Sequence, residues 1–198
     1  CFSLFRLRES ARAGLLEEAK RLRAAEGRGG GGYRVRIFGA PGSLLTSWPD
    51  GDRGHSVRRA ELLVDAERYP LLARLARSLP TITFLHLLVL DDSDQSFDVT
   101  MHSEREVFHH PAQPPGSFYV GARFHITLGG GADPERCWIY MDGKVFVVPA
   151  GVLHRYCASC RHLSARGGGT RYNLVFDAYF SREAVDFLFV ESEPAEAL

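Results

Sequence analysis

The chain is poor in cysteine, has no excess of charge and contains no long apolar run, and each shortage excludes a class of protein. Four unevenly spaced cysteines among 198 residues do not make a disulfide framework, which favours a reducing, cytoplasmic compartment. Acidic and basic residues number 24 each, so the net charge predicts no nucleic-acid partner and no membrane surface. The longest apolar run, 82–90, is shorter than the roughly 20 residues that span a bilayer. We therefore expect the partner to be a small-molecule or peptidyl substrate.

The N-terminal residues, 1–80, are expected to be a helix-rich support. One helix is predicted to start at Ser10, whose hydroxyl can cap it, and a second is predicted to start near Pro70, a residue favoured in the first turn. Glu17 and Glu18 are expected to lie on a solvated face of the first helix, because leucines and alanines supply its apolar stripe.

Residues 81–190 carry the signals of short strands separated by turns, and they form the expected barrel core. Asp142-Gly143, between two apolar runs, is typical of a type I′ hairpin turn. The fold class is therefore expected to be α+β, mainly β, in a single domain that covers 1–198. The predicted strands cover 82–90, 97–101, 121–128, 137–141, 144–148, a short piece near 155, and 171–180.

The strand at 121–128 has one apolar face and one polar face. Side chains of a strand alternate between its faces, so Arg123, His125 and Thr127 lie together, opposite the apolar residues between them. In a one-sided sheet these residues would face water, and in a barrel they would face the lumen. This strand alone leaves both readings open.

A second polar pair opens the strand at 171–180. Arg171 and Asn173 share a face, and the apolar residues that follow predict a strand buried on both sides. A buried arginine requires a partner, and its fork of donors matches a carboxylate in two parallel hydrogen bonds. The partner could be a dicarboxylate substrate, or Asp177 or Glu135 of the chain itself.

His154 is the first candidate metal ligand. It follows the tight turn Pro149-Ala-Gly151 between two apolar runs, which is how a small barrel directs a ligand into its lumen. A catalytic ferrous ion takes two histidines and usually one carboxylate. His102-Ser-Glu104 supplies both in a strand, because residues two apart lie on one face.

Other histidines compete for the second ligand position. His109 and His110 are closer in sequence to Arg123, but no carboxylate stands two residues after either of them. His125 could also bind the metal, yet Thr127 stands where an acid would be needed, so we expect His125 to contact a cosubstrate instead.

Two family resemblances follow from these motifs. The stretch from Gly143 to His154 fits the second motif of the cupin superfamily, although the first cupin motif, with its His-x-His, is absent. The order of five motifs resembles the aspartyl/asparaginyl β-hydroxylase and cis-proline hydroxylase branch of the 2-oxoglutarate- and iron(II)-dependent oxygenases. The five motifs are Leu87-Leu-Val-Leu90, His102-Ser-Glu104, Arg123-Phe-His125-Ile-Thr127, Gly151-Val-Leu-His154 and Arg171-Tyr-Asn-Leu-Val-Phe-Asp177.

The resemblance implies a double-stranded β-helix, the jelly-roll barrel of cupins, with N-terminal supporting helices. It also implies a site for Fe(II) and the cosubstrate 2-oxoglutarate. By this resemblance the catalytic metal ligands are His102, Glu104 and His154, and the residues that hold 2-oxoglutarate are Arg123, His125 and Arg171. The chain departs from the branch at Glu104, where aspartate is usual, and at Asn173, where a histidine is usual. The segment between His154 and Arg171 is also longer than usual.

The implied reaction is hydroxylation of a carbon on an amino-acid or peptidyl side chain, of the Asp, Asn or Pro kind, with release of succinate and CO2. Two other functions fit the same barrel. One is a cupin-type metal enzyme, a dioxygenase or isomerase, that does not use 2-oxoglutarate. The other is a non-catalytic barrel that binds a ligand through the same pocket.

Overall fold

The computed structural model describes residues 2–26, 33–39, 45–46, 61–78, 84–90, 122–130, 138–141, 143–147, 149–155, 162–164, 169–178 and 189–191. These residues form an α+β, mainly-β structure with two helices, as expected from the sequence. The helices are α1 (Glu9–Ala25) and α2 (Pro70–Ser78). The strands are β1 (Phe2–Leu7), β2 (Tyr33–Gly39), β3 (Leu45–Thr46), β4 (Glu61–Leu62), β5 (Phe84–Leu90), β6 (Ala122–Gly130), β7 (Trp138–Met141), β8 (Lys144–Val147), β9 (Val152–Arg155), β10 (His162–Ser164), β11 (Arg171–Ala178) and β12 (Phe189–Glu191).

The described strands form two antiparallel sheets. The large sheet has nine strands in the order β12-β1-β9-β6-β11-β5-β2-β3, with β4 also paired to β2. The small sheet has three strands in the order β10-β7-β8. Its β7–β8 hairpin pairs Met141 with Lys144, and Gly143 has φ of 84°, so the predicted Asp-Gly hairpin is confirmed. The predicted strand at 97–101 lies outside the described residues.

One face of the large sheet carries the hydrophobic core, which both helices cover. Alternate residues of the central strands point to this face, since a strand has a side-chain period of two. Phe124 and Phe176 stack there with ring centroids 5.8 Å apart. Further core residues are Leu85, Leu87 and Val89 of β5, Ile126 and Leu128 of β6, Leu174 of β11, Leu15 and Leu22 of α1, and Leu72 and Leu75 of α2. Neither of the two helices in the described residues is long and apolar enough to cross a membrane.

Helix α1 differs from the sequence prediction at two places. It begins at Glu9 with Arg8 as its N-cap, and no side chain caps it, so the predicted cap at Ser10 is wrong. Glu18 does not lie on a solvated face: it is 3% exposed and accepts hydrogen bonds from the backbone N–H groups of Leu71 and Leu72. These donors are at the start of α2, where helical N–H groups have no intrahelical acceptor. Glu18 therefore fastens α2 to α1.

Strand β1 was not among the strands predicted from the sequence. It pairs with β9 on one side and β12 on the other, and it sets Ser3 opposite His154. The backbone N–H of Leu7 donates to the carbonyl of Gly151 at 2.7 Å. The N-terminal segment thus holds the strand that carries the first candidate ligand.

Candidate functional site

Three buried histidines lie in one row across the large sheet, on the face opposite the helices. The register pairs His86 with Val175, Val175 with His125, and His125 with His154, across β5, β11, β6 and β9. Directly paired residues of antiparallel strands lie on the same face. The histidines are 5%, 3% and 0% exposed in that order, so His125 does not face water as it would in a one-sided sheet.

The adjacent row contains a buried network around Arg171. Its Nη2 donates to Thr127 Oγ1 at 2.9 Å, and its Nε donates to Asn173 Oδ1 at 3.1 Å. The Thr127 hydroxyl donates to the same Asn173 oxygen at 2.8 Å, and Asn173 Nδ2 donates to the carbonyl of Leu88 at 3.4 Å. All three side chains are at most 2% exposed. The network fixes the plane of a guanidinium inside the protein.

A β-bulge helps to place Arg171 over Thr127. The register between β11 and β6 shifts between Tyr172 and Asn173, so β6 carries one extra residue there. Gly129 and Gly130 accommodate the bulge with φ of 152° and 87°, values that side chains disfavour. A Cβ atom at Gly130 would also collide with the carbonyl oxygen of Thr170.

His154 is positioned by the turn that precedes it. Gly151 has φ of 81°, and its N–H donates to the carbonyl of Thr127 at 2.7 Å, which joins the turn to β6. A Cβ atom at Gly151 would lie 2.8 Å from Cδ of Arg12, a helix α1 side chain that also donates from Nη1 to the carbonyl of Leu128. The positive φ therefore favours glycine in the Pro-x-Gly sequence, and a Cβ atom there would also displace the Arg12 side chain.

The imidazole of His154 is in the form that binds a metal. Its Nδ1 lies 3.3 Å from the carbonyl oxygen of Val152, which can only accept, so Nδ1 carries the proton and Nε2 carries the lone pair. Burial lowers the pKa of His154 to about 4; the charge of Arg171 adds to this shift, and the Val152 hydrogen bond opposes it. The ring is consequently neutral near pH 7.

The structure brings three of the predicted site residues, His125, His154 and Arg171, to one buried face. The backbone of Arg123 pairs with that of Asp177 in the same sheet, but its side chain is outside the described part of the structure. His102 and Glu104, with the alternative ligands His109 and His110, also lie outside the described residues. Within the described ranges, no group of three or more His, Cys, Asp or Glu side chains could hold a metal ion.

Three further polar residues belong to this face, although the sequence patterns assigned them no role. Thr127 and Asn173 orient Arg171, and the period-two pattern of their strands already placed them on the polar side. His86 of β5 lies in the histidine row and is buried there. Its position there depends on the pairing of β5 with β11, which the sequence pattern does not specify.

Comparison with models of known protein families gives no match to this chain, and no curated protein is similar to it in sequence. The residues of the polar face are therefore the feature of the chain that bears on function.

Proposed function

We propose that the protein is a 2-oxoglutarate- and iron(II)-dependent dioxygenase that hydroxylates a carbon of an amino-acid or peptidyl substrate, of the Asp, Asn or Pro kind, and releases succinate and CO2. One observation carries the proposal: a neutral, buried His154 and a buried, oriented Arg171 lie on the same face of an antiparallel sheet. A metal ligand and a carboxylate receptor on one face are what the binding of a 2-oxoacid to iron requires.

The strand order supports a double-stranded β-helix. From β6 onward the chain passes repeatedly between the two sheets: β6, β9 and β11 belong to the large sheet, and β7, β8 and β10 belong to the small one. Repeated crossing between two antiparallel sheets is typical of jelly-roll barrels. In such a barrel the polar face of the large sheet would line the lumen, which agrees with the burial of its histidines.

The Arg171 network supports the 2-oxoglutarate assignment. Thr127 and Asn173, which hold the guanidinium, are one row of paired residues away from His125 and His154. One such row is about 6.7 Å along a strand, which is comparable to the length of a five-carbon dicarboxylate. Arg171 would hold the distal carboxylate through parallel hydrogen bonds, and the 2-oxoacid end would reach the metal. Arg123 and His125 would complete the cosubstrate contacts.

The chemistry of His154 fits iron(II). A neutral imidazole whose other nitrogen donates to a carbonyl is the usual form of a histidine ligand. His102 and Glu104 would supply the remaining ligands, leaving open positions for cosubstrate and oxygen. Bound iron would supply the oxygen activation that couples oxidation of 2-oxoglutarate to hydroxylation. The chain's own residues bind and orient the cosubstrate and exclude water through the burial of this face.

Succinate release tests the proposal. Purified protein with iron(II), ascorbate, oxygen and 2-oxoglutarate should form succinate, slowly alone and faster with a suitable amino-acid or peptide acceptor. His154→Ala should abolish the activity. Arg77→Ala, which replaces an exposed arginine in the last turn of α2, should retain it. If iron-loaded protein forms no succinate with or without acceptors, the proposed function is wrong.

A further inference from the structure

Two imidazole rings of the histidine row are direct neighbours. His125 of β6 and His154 of β9 are paired in register, and their ring centroids lie 5.0 Å apart with an angle of 62° between the ring planes. Both side chains are buried on the same face. No described residue separates them, because β6 and β9 are adjacent strands. The backbone pairing therefore holds two imidazole rings side by side.

The spacing of the two rings matches that of two imidazoles on one ion. Rings that share a metal through bonds of about 2.1 Å have centroids about 4.6 to about 5.3 Å apart when the N–metal–N angle is between about 90° and about 110°. The observed 5.0 Å lies within this range. We propose that His125 is a direct metal ligand together with His154, so that the two residues chelate one divalent ion of the Fe2+, Co2+ or Zn2+ type.

The chemistry of the pair favours such ions. Imidazole nitrogen binds iron, cobalt and zinc well and binds Mg2+ and Ca2+ poorly. At His154 the hydrogen bond of Nδ1 to Val152 leaves the lone pair on Nε2. Burial of both rings keeps water from competing for the ion and fixes the ring orientations. The register already sets the two residues opposite each other on adjacent strands.

This inference changes the role given to His125, from cosubstrate contact to metal ligand. It depends on the proposed function in one respect, the role of His154 as a ligand. It does not depend on 2-oxoglutarate, since a chelating pair would serve any metal enzyme built on this sheet face. His125 would then take the second histidine position, which the proposed function gives to His102, and the remaining coordination positions are left for oxygen ligands and substrate.

The test uses the whole chain, stripped of metal with a chelator and titrated with Co2+. Affinity is measured by calorimetry and by the visible spectrum of bound cobalt. His125→Ala and His154→Ala should each raise the Kd by more than about 100-fold, because each removes a direct ligand, and loss of an outer-shell partner alone costs about 10–100-fold. His86→Ala is the matched control, because His86 is buried in the same row. Strand β11 lies between β5, which carries His86, and β6, which carries His125, so these two strands are about 9.6 Å apart. This variant should retain the wild-type Kd.

A second variant keeps the test decisive if His125→Ala does not fold. In cobalt-loaded His102→Ala, X-ray absorption should count two imidazole ligands, those of His125 and His154. A count of one imidazole would refute the inference. The inference would also be refuted if folded His125→Ala bound cobalt with the wild-type Kd while His154→Ala did not bind it. That result would leave the proposed function intact. If both alanine variants lose cobalt but wild-type protein forms no succinate, the inference stands and the proposed function fails.

Discussion

Replacement of Glu18 by glutamine should destabilise the protein by about 2–4 kcal/mol. In the native protein Oε1 accepts from the N–H of Leu71 at 3.0 Å, and Oε2 accepts from the N–H of Leu72 at 2.9 Å. The amide of glutamine can accept from only one of these two N–H groups and presents a donor to the other. The loss of a hydrogen bond to a charged group, about 1.5–3 kcal/mol, combines with the loss of a carboxylate at the start of α2, about 0.3–1 kcal/mol.

Urea unfolding followed by far-UV circular dichroism measures the change in the free energy of unfolding. The neighbouring Glu17→Gln variant is the control, because Glu17 is 66% exposed at its side chain and forms a direct surface ion pair with Lys20 at 2.6 Å. That variant should change the stability by less than about 1 kcal/mol. The contact of Glu18 with Arg21, at 3.9 Å, adds little, since the arginine is mostly exposed. If Glu18→Gln costs no more than Glu17→Gln, the buried carboxylate does not fasten the helices together.

Three further predictions concern the site. In metal-free protein the free energy of unfolding should fall by about 3 kcal/mol as the pH falls from about 6.5 to about 4, because His154 is protonated in the unfolded chain before it is protonated in the folded one. Urea titrations of wild type and His154→Gln at several pH values measure this change. The same dependence of the unfolding free energy on pH in both proteins would contradict the prediction. Gly151→Ala should cost about 1–3 kcal/mol, and Arg12→Ala should relieve part of it; a double-mutant cycle without coupling would refute the contact. Arg171→Ala should weaken 2-oxoglutarate binding by about 10–100-fold in calorimetry and spare the metal, and unchanged cosubstrate affinity would show that the pocket is misplaced.

The sequence predicted the elements whose signals are local. The alternation in β6 separates Phe124 and Ile126 from His125 and Thr127, and burial of both sets agrees with that pattern. The second helix begins at Pro70 as predicted, and the Asp-Gly hairpin forms as expected. These features depend on residues within one turn or one strand of each other.

Features that depend on contacts between distant segments were missed. The sequence suggests that Glu18 is solvated, because the backbone N–H groups that donate to its carboxylate are more than 50 residues away along the chain. The neighbouring positions of His125 and His154 follow from the pairing of β6 with β9, and sequence periodicity gives a strand its faces but not its partner. Strand β1 gained its role in the same way, by pairing with β9.

Anaerobic titration with iron(II) and 2-oxoglutarate tests the central claim most directly. The weak visible charge-transfer band of the iron chelate of a 2-oxoacid should appear only when both are added to the protein. It should be lost in His154→Ala and retained in His86→Ala, which removes a buried histidine from the same row. Iron-loaded wild-type protein that gives no band at saturating 2-oxoglutarate would contradict the account.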